Sequence, residues 1–397
     1  MGVVTTAASS EPLGVAMVGY AFMGAAHSQA WRNAHRFFDL PLRPELKVLC
    51  GRSPDGVRDA AEKLGWESWT TDWRDVLERD DVHVVDICTP GDSHAEIAVA
   101  ALEAGKHVLC EKPLANSVAV AEQMTAAAET AAAKGVSSMV GFSYRRTPAL
   151  AYARQLVEEG VVGTVRHIRA HYLQDWIVDP EFPLVWRLRR ELAGSGALGD
   201  IGAHIIDLSQ FLTGQRLVEV AGHLTRFVEQ RPLPDASSGL SASASSETGD
   251  VTVDDAAVFF GRTDGGALAT YEATRFATGR KNAMRIEVNG SQGSLAFDFQ
   301  SMNELLVYDG TVPAADAGFR RILVTEPEHP YMESWWPPGH GLGYEHTFTH
   351  EVADFVRAVS TGTAPSPSFA DGLAVQRVLD AVEQSSLSNS QWTPIPA

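Results

Sequence analysis

The stretch Leu13-Gly14-Val15-Ala16-Met17-Val18-Gly19-Tyr20-Ala21-Phe22-Met23-Gly24 decides the fold. Its apolar run over residues 14–18 has the composition of a buried strand and enters a turn bounded by glycines. Gly19 permits a tight turn, and Gly24 lets the following helix lie close to the strand. Backbone N–H groups and the positive end of the helix dipole then face one point. That is how the fingerprint G-x-G-x-x-G receives a dinucleotide pyrophosphate. Ala21 replaces the middle glycine, and its methyl group pushes the phosphate slightly outward. Alone, the pattern also fits a plain strand-to-helix turn; the repeating units beyond it favour the dinucleotide.

From residue 13 to about 141, short apolar runs alternate with helical patterns, which implies strand-helix-strand units and a parallel sheet. Strands are expected at 14–18, 47–50, 84–88, 107–110 and 136–140. Between them, Ser53 caps a helix with Pro54 in its first turn and Gly65 at its end, and a second helix over 93–102 carries Ile97, Ala98, Ala101 and Leu102 on one side. Such sheets bind ligands at their carboxyl edge. The Glu111-Lys112-Pro113 segment, directly after one strand, places an ammonium there. At the end of the second expected strand no carboxylate awaits a ribose 2′-hydroxyl. Cys50-Gly51-Arg52-Ser53 offers instead a guanidinium and a hydroxyl for a 2′-phosphate, so the reading is NAD(P) with NADP slightly ahead of NAD.

After about residue 142 the pattern changes to longer alternating strands, at 164–176, 218–228, 255–260, 267–274, 284–289 and 294–299, which means a mostly antiparallel sheet. In the first of these, Ile168, Ala170, Tyr172, Gln174 and Trp176 share a face opposite His167, Arg169, His171 and Asp175. Residues 231–249, rich in Ser, Ala, Gly and Pro, read as a flexible insertion. The expected class is α/β: a flexible tail over 1–13, a Rossmann dinucleotide-binding domain over 14–142, and over 143–397 an α+β domain with a large, mostly antiparallel open sheet for substrate binding and oligomerisation. An open sheet needs its outer face covered, so a homodimer or homotetramer is expected. The aromatic stretch over 331–340 is read as lining the pocket or a subunit contact.

Composition narrows the partners. Of 397 residues, 45% are apolar and 21% charged, and no apolar stretch has membrane-spanning length. The net charge, 32 − 50 = −18, repels nucleic acid and anionic membranes and leaves a small molecule as the ligand. The start lacks the features of a secretory signal, and Cys50, Cys88 and Cys110 match neither a disulfide framework nor a zinc site, so a cytoplasmic protein with reduced cysteines is expected.

Asp200, His204 and Asp207 recur at helical spacing beside an apolar stripe of Ile201, Ile205, Leu208 and Leu212, which puts the three on one face of a helix turned to a cleft. The glycine-rich lead-in over 194–199 is read as letting a substrate approach the first turn. Oxidising a secondary alcohol needs a base for the hydroxyl proton and a hydride acceptor in contact. His204 suits the first task, Asp200 orients it or binds a hydroxyl, and Lys112 polarises or deprotonates the reacting oxygen; the spacing leaves the base open between Lys112 and His204. Two such ligands are too few for a metal, and none is expected.

The glycine turn, Thr89-Pro90 with His94, the approach 104–108 to Glu111-Lys112-Pro113, and Gly199-Asp200-Ile201-Gly202-Ala203-His204 together resemble the Gfo/Idh/MocA oxidoreductases over nearly the whole chain. The resemblance implies Lys112, Asp200 and His204 as the catalytic set, and Gly19, Ala21, Phe22, Met23, Gly24, Arg52, Thr89, Pro90, His94, Glu111 and Lys112 at the cofactor. Tyr144-Arg145-Arg146, residues 172–176 and Trp186-Arg187 are most similar to the branch of sugar 3-dehydrogenases that includes levoglucosan dehydrogenase. Aromatic planes flanked by amides suit a pyranose, so Tyr144, Gln174, Trp176 and Tyr344 join Lys112, Asp200 and His204 as substrate contacts. The expected activity is hydride transfer between nicotinamide and a ring hydroxyl, C3 foremost, of a sugar, anhydrosugar or glycoside. The alternatives are a redox-assisted glycoside-cleaving enzyme that recycles NAD, an inositol dehydrogenase, or a non-enzymatic dinucleotide-sensing regulator.

Overall fold

The computed structural model describes residues 11–238 and 241–396. Six strands, β1 (Glu11–Val18), β2 (Leu42–Cys50), β3 (Ser68–Thr70), β4 (Val84–Ile87), β5 (His107–Glu111) and β6 (Ser138–Gly141), make a wholly parallel sheet in the order β3-β2-β1-β4-β5-β6. This is the doubly wound order. The five expected strands are all present, while β3 is too short to leave a readable pattern. The helices of this half are α1 (Phe22–Phe37), α2 (Pro54–Leu64), α3 (Arg74–Leu77), α4 (His94–Glu103) and α5 (Val118–Ala132). α2 starts and stops as its sequence dictates: Ser53 Oγ accepts from the Gly56 N–H, and Gly65 is left-handed. Of the expected tail, residues 1–10 lie outside the described residues, and 11–13 are already strand, paired with β2.

The second half adds β7 (Val165–Leu173), β8 (Leu217–Thr225), β9 (Gln230–Ser238), β10 (Ser241–Asp250), β11 (Ala256–Thr263), β12 (Leu268–Thr274), β13 (Ala283–Gly290), β14 (Gly293–Asp298), β15 (Glu304–Asp309), β16 (Arg320–Leu323) and β17 (Thr393–Pro394). Nine of these form a mixed sheet, β16-β15-β14-β13-β7-β12-β11-β8-β17, antiparallel throughout except between β7 and β12. Ile168, Ala170 and Tyr172 are buried on one face of β7, as the alternation requires. β9 and β10 pair as an antiparallel hairpin, which corrects the reading of 231–249 as a flexible insertion. Small polar residues hid the ladder, and a buried arginine anchors it: Arg231 donates to the carbonyls of Ile177, Asp179 and Phe182. No helix among the described residues is long and apolar enough to cross a membrane.

Five more helices follow, α6 (Pro148–Glu158), α7 (Arg190–Ala193), α8 (Ala203–Thr213), α9 (Tyr344–Thr361) and α10 (Phe369–Leu387). The last two return to the first sheet. Val15, Met17, Leu49 and Leu109, on one face, share a core with Trp31 of α1 and Phe348, Val352, Phe355 and Val356 of α9. The alternating residues Ala16, Val18, Val85, Val108 and Cys110, on the other, belong to a core that includes Phe369, Val375 and Val378 of α10 and runs on into the inner face of the second sheet. One apolar core thus spans both halves.

In the aromatic stretch over 331–340, Tyr331 and Trp335 pack inward, while Trp336 and the residues after it are exposed. Trp335 packs on Phe37 and Phe38, with ring centroids 4.4 and 5.6 Å away, and donates from Nε1 to His350 Nε2 at 2.7 Å, while Tyr331 stacks on His350. His350 Nδ1 in turn donates to the Arg146 carbonyl at 2.8 Å. Both ring nitrogens are therefore satisfied in the neutral tautomer, and burial pushes the His350 pKa down to about 3 from 6.5. The unfolded chain takes up this proton near pH 6.5 and the folded chain only near 3, so the stability contribution is whole above the first value and is lost as the pH falls toward the second. Urea denaturation at neutral and mildly acidic pH should therefore show a smaller acid loss of stability for His350→Gln than for the native protein.

Candidate active site

The carboxyl ends of β1, β4 and β5 converge on one edge of the first sheet, as parallel pairing demands. At β1 the chain turns through Gly19, whose φ of 101° suits glycine and where a Cβ would lie 2.7 Å from the Cys88 carbonyl. A Cβ at Gly24 would overlap the Gly19 carbonyl. α1 then begins with no side-chain cap and no acidic residue in its first turn, so its free N–H groups and dipole are available to an anion. These features fit a dinucleotide pyrophosphate. Residues 19–24, with Thr89 and Pro90 beyond β4 and Lys112 beyond β5, would hold the cofactor.

Of the other residues read as cofactor contacts, two are buried and one is exposed. His94 is buried, its ring within hydrogen-bond distance of the Thr89 carbonyl (2.9 Å) and the Pro113 carbonyl (3.1 Å), so it joins two loops of the edge. Glu111 is also buried and turns inward to His27. Arg52 is exposed at the end of β2, beside Ser53, whose Oγ accepts from the Gly56 N–H as the cap of α2.

Lys112 reaches across to the second half. Its Nζ donates to the Asp200 carbonyl at 2.7 Å and lies 3.6 Å from Oδ1 of the same residue. Asp200 sits in a π-helical turn, Leu198–Gly202, that leads into α8. Arg275, fully buried, approaches its Oδ2 at 3.4 Å and also donates to the Asp254 carbonyl. Burial alone would raise the Asp200 pKa, but Lys112, Arg275 and Arg187 outweigh it and hold the carboxyl at about 2. His204 stacks on Tyr144, with ring centroids 4.5 Å apart, and its buried Nδ1 has no partner among the described residues. Burial first and the Lys112 charge second push its pKa well below 6.5, so the imidazole is neutral.

The structure thus brings Lys112, Asp200 and His204 together, but not Asp207. Asp207 is buried in an ion pair with Arg145, because α8 is buried nearly all round and its aspartate finds a partner in the core rather than in a cleft. The glycine lead-in also serves another purpose than substrate approach. A Cβ at Gly196 would overlap the Asp254 backbone, while the Asp254 carboxylate accepts from the N–H groups of Gly196 (2.7 Å) and Leu198 (2.8 Å) and fixes the turn that carries Asp200.

Tyr144, Gln174 and Trp176 form one hydrogen-bonded wall through two residues the sequence did not single out. Tyr144 and Tyr172 join hydroxyls at 2.6 Å, Tyr172 and Gln174 both donate to Asn282 Oδ1, and Trp176 donates to Gln174. Asn282 lies in a short loop with no pattern to mark it. Tyr344 lies parallel to Phe22 at 6.2 Å and edge-on to Tyr144 at 6.4 Å, linking the glycine turn to this wall.

A family model described as an oxidoreductase family with an NAD-binding Rossmann fold matches residues 13–142, and the GFO/IDH/MocA C-terminal domain matches 150–296. Levoglucosan dehydrogenase of Pseudarthrobacter phenanthrenivorans is 41% identical over 97% of this chain and 99% of its own. The chain belongs to the Gfo/Idh/MocA oxidoreductases. It is an NAD-dependent dehydrogenase of that family, with the expected α/β architecture. Among solved structures, an oxidoreductase domain protein from Kribbella flavida is similar at 66% identity and a TM-score of 0.93, over 98% of this chain and 100% of that one. Levoglucosan dehydrogenase in complex with NADH and levoglucosan is similar at 41% identity and a TM-score of 0.91, over 98% and 100%; a further complex of it holds NADH and L-sorbose.

Asp254→Asn tests the turn beneath Asp200. An amide oxygen can serve only one of the two N–H groups, so a stability loss of about 1–3 kcal/mol by urea denaturation is expected.

Proposed function

We propose that this oxidoreductase transfers a hydride between NAD(H) and a ring secondary alcohol, C3 foremost, of a sugar or anhydrosugar. The observation that carries the reading is the convergence of Lys112 from the first half with Asp200 and His204 from the second, beside the wall of Tyr144, Tyr172, Asn282, Gln174 and Trp176. NAD, when bound, supplies the hydride acceptor. The Lys112 ammonium donates a hydrogen bond to the reacting oxygen, the neutral His204 accepts the hydroxyl proton, and Asp200, ionised and held by Arg275, keeps the ammonium in place. The amide and phenol groups of the wall hold the remaining hydroxyls while its rings cover apolar C–H faces. NAD(H) is preferred over NADP(H) because the complexes of levoglucosan dehydrogenase carry NADH.

Appearance of reduced-nicotinamide absorbance with NAD and with NADP, across levoglucosan, glucose, myo-inositol and aryl glycosides, tests this. Turnover of an anhydrosugar with NAD is expected; release of the aryl group without net reduced cofactor would favour redox-assisted glycoside cleavage instead. On the confirmed substrate, Lys112→Met and His204→Ala should each lower kcat by about 10²-fold or more. Near-normal rates would remove them from the chemistry.

We also propose that the outer face of the nine-stranded sheet is covered by a second copy of the chain. Val258, Phe260 and Leu268 stand there roughly half exposed on adjacent strands. Light scattering should find a homo-oligomer that Phe260→Asp dissociates, and a native monomer at micromolar concentration would count against it.

A further inference from the structure

Directly behind Lys112 lies a polar cluster that takes no part in the proposed hydride transfer. His27, in the second turn of α1, is 1% exposed. Its Nδ1 is 2.9 Å from Asp86 Oδ2 on β4, and its Nε2 is 3.0 Å from Glu111 Oε1 at the end of β5. The other Glu111 oxygen accepts the backbone N–H of Lys112 at 3.1 Å. The same Asp86 Oδ2 accepts from Trp31 Nε1 at 2.6 Å, and the Cys88 thiol lies 3.6 Å from Oδ1. Phe348 of α9 closes the cluster with its ring 5.3 Å from that of His27. The space for the Glu111 carboxylate exists because residue 141 is glycine: a Cβ there would come within 2.9 Å of Oε1.

A neutral imidazole has one N–H, so it can satisfy one carboxylate and must present a lone pair to the other. Two buried carboxylates on opposite ring nitrogens call for a ring that donates from both, which only the imidazolium does. The surrounding groups agree. Burial drives the ring toward neutrality, but Asp86 outweighs it and raises the His27 pKa well above 6.5. Cys88 just beyond β4, Cys110 and Glu111 from β5, His94 from α4, Tyr344 and Glu351 from α9, and Tyr144 and Arg187 are other titratable groups whose charge acts on or through the cluster. Burial pushes Glu351 up to about 8, so it adds no full negative charge at neutral pH. Three of the cluster's ligand atoms, from His27, Asp86 and Cys88, lie close enough together to suggest a metal site. Hydrogen-bond contacts already occupy both ring nitrogens, however, so the ring itself supplies the positive charge that a metal would bring.

We propose that His27 is a positioning residue for the chemistry at Lys112: anchored on Asp86, it holds the Glu111 carboxylate so that Glu111 fixes the main chain of the lysine next in sequence. The proposal rests on the reading of Lys112 under the proposed function. Without His27, Glu111 is a buried carboxylate lacking its partner, free to protonate or rotate, and the strand end that aims the ammonium loses its stay. A displacement of about an ångström at a reacting group is enough to cost about 10²-fold in rate.

The experiment is a double-substitution cycle with His27→Gln, Glu111→Gln and the pair, using NAD and the sugar that the native enzyme turns over. Each single variant should lose about tenfold or more in kcat, with sugar KM and NADH affinity, read by nicotinamide fluorescence, changed less than about threefold. The pair should be no slower than the slower single variant. Losses that multiply, or losses confined to KM or NADH affinity, would overturn the proposal. Should the variants not fold, ¹⁵N spectra of histidine-labelled native protein decide: both His27 ring nitrogens must carry protons at pH 8, and a neutral ring refutes the bridge. A fully active Lys112→Met enzyme would overturn the reading of the site and this proposal with it. An inactive Lys112→Met enzyme beside multiplying losses would overturn this proposal alone.

Discussion

The contact on which the rest depends is the ammonium of Lys112 against the carbonyl and carboxylate of Asp200. It joins residues far apart in sequence, one at the end of a parallel strand and one in a π turn before a buried helix, and both must be fixed from behind. On the first side Glu111 holds the lysine's main chain. On the second, Asp254 ties down the turn and Arg275 presses on the free carboxylate oxygen. Neither arrangement lies at a flexible loop tip; each ends a regular element whose apolar faces are buried, which is the form of support that keeps reacting groups in register.

The electrostatics of the cleft run against the molecule as a whole. The chain carries −18, yet Lys112, Arg187 and Arg275 surround a single carboxylate at Asp200 and a neutral His204. The positive groups keep Asp200 ionised, while burial, aided by the Lys112 charge, keeps His204 uncharged. That division separates a permanent anion from a vacant proton acceptor over a few ångströms.

Much of this was legible in the residues. The glycine turn and the alternation over the first half give the parallel sheet, because fully buried strands and amphipathic helices leave distinct patterns. Glu111-Lys112-Pro113 and the Asp200/His204 spacing mark the two segments that the fold brings into contact. What escaped the sequence has physical causes. Helical spacing does not show that α8 is buried nearly all round, so Asp207 pairs with Arg145 in the core and falls away from the cleft. Small polar side chains conceal the hairpin of β9 and β10, whose order comes from backbone pairing and one buried arginine. Asn282 and Arg275 are single residues in loops, and only the tertiary fold shows that each faces the site. His94 and Glu111 belong to motifs that point to the cofactor, yet both turn inward, because a sheet edge must satisfy its own loops before it can hold a ligand.

α9 and α10, drawn from the last sixty or so residues, cover the two faces of a sheet built from the first third of the chain. During synthesis, then, the amino-terminal strands leave the ribosome with only their own crossover helices packed on them, and part of each apolar surface stays bare until α9 and α10 have emerged. A fragment ending near the close of the sixth strand would expose those surfaces permanently, so this nucleotide-binding half is poorly suited to excision or transplantation as a module, familiar though its topology is.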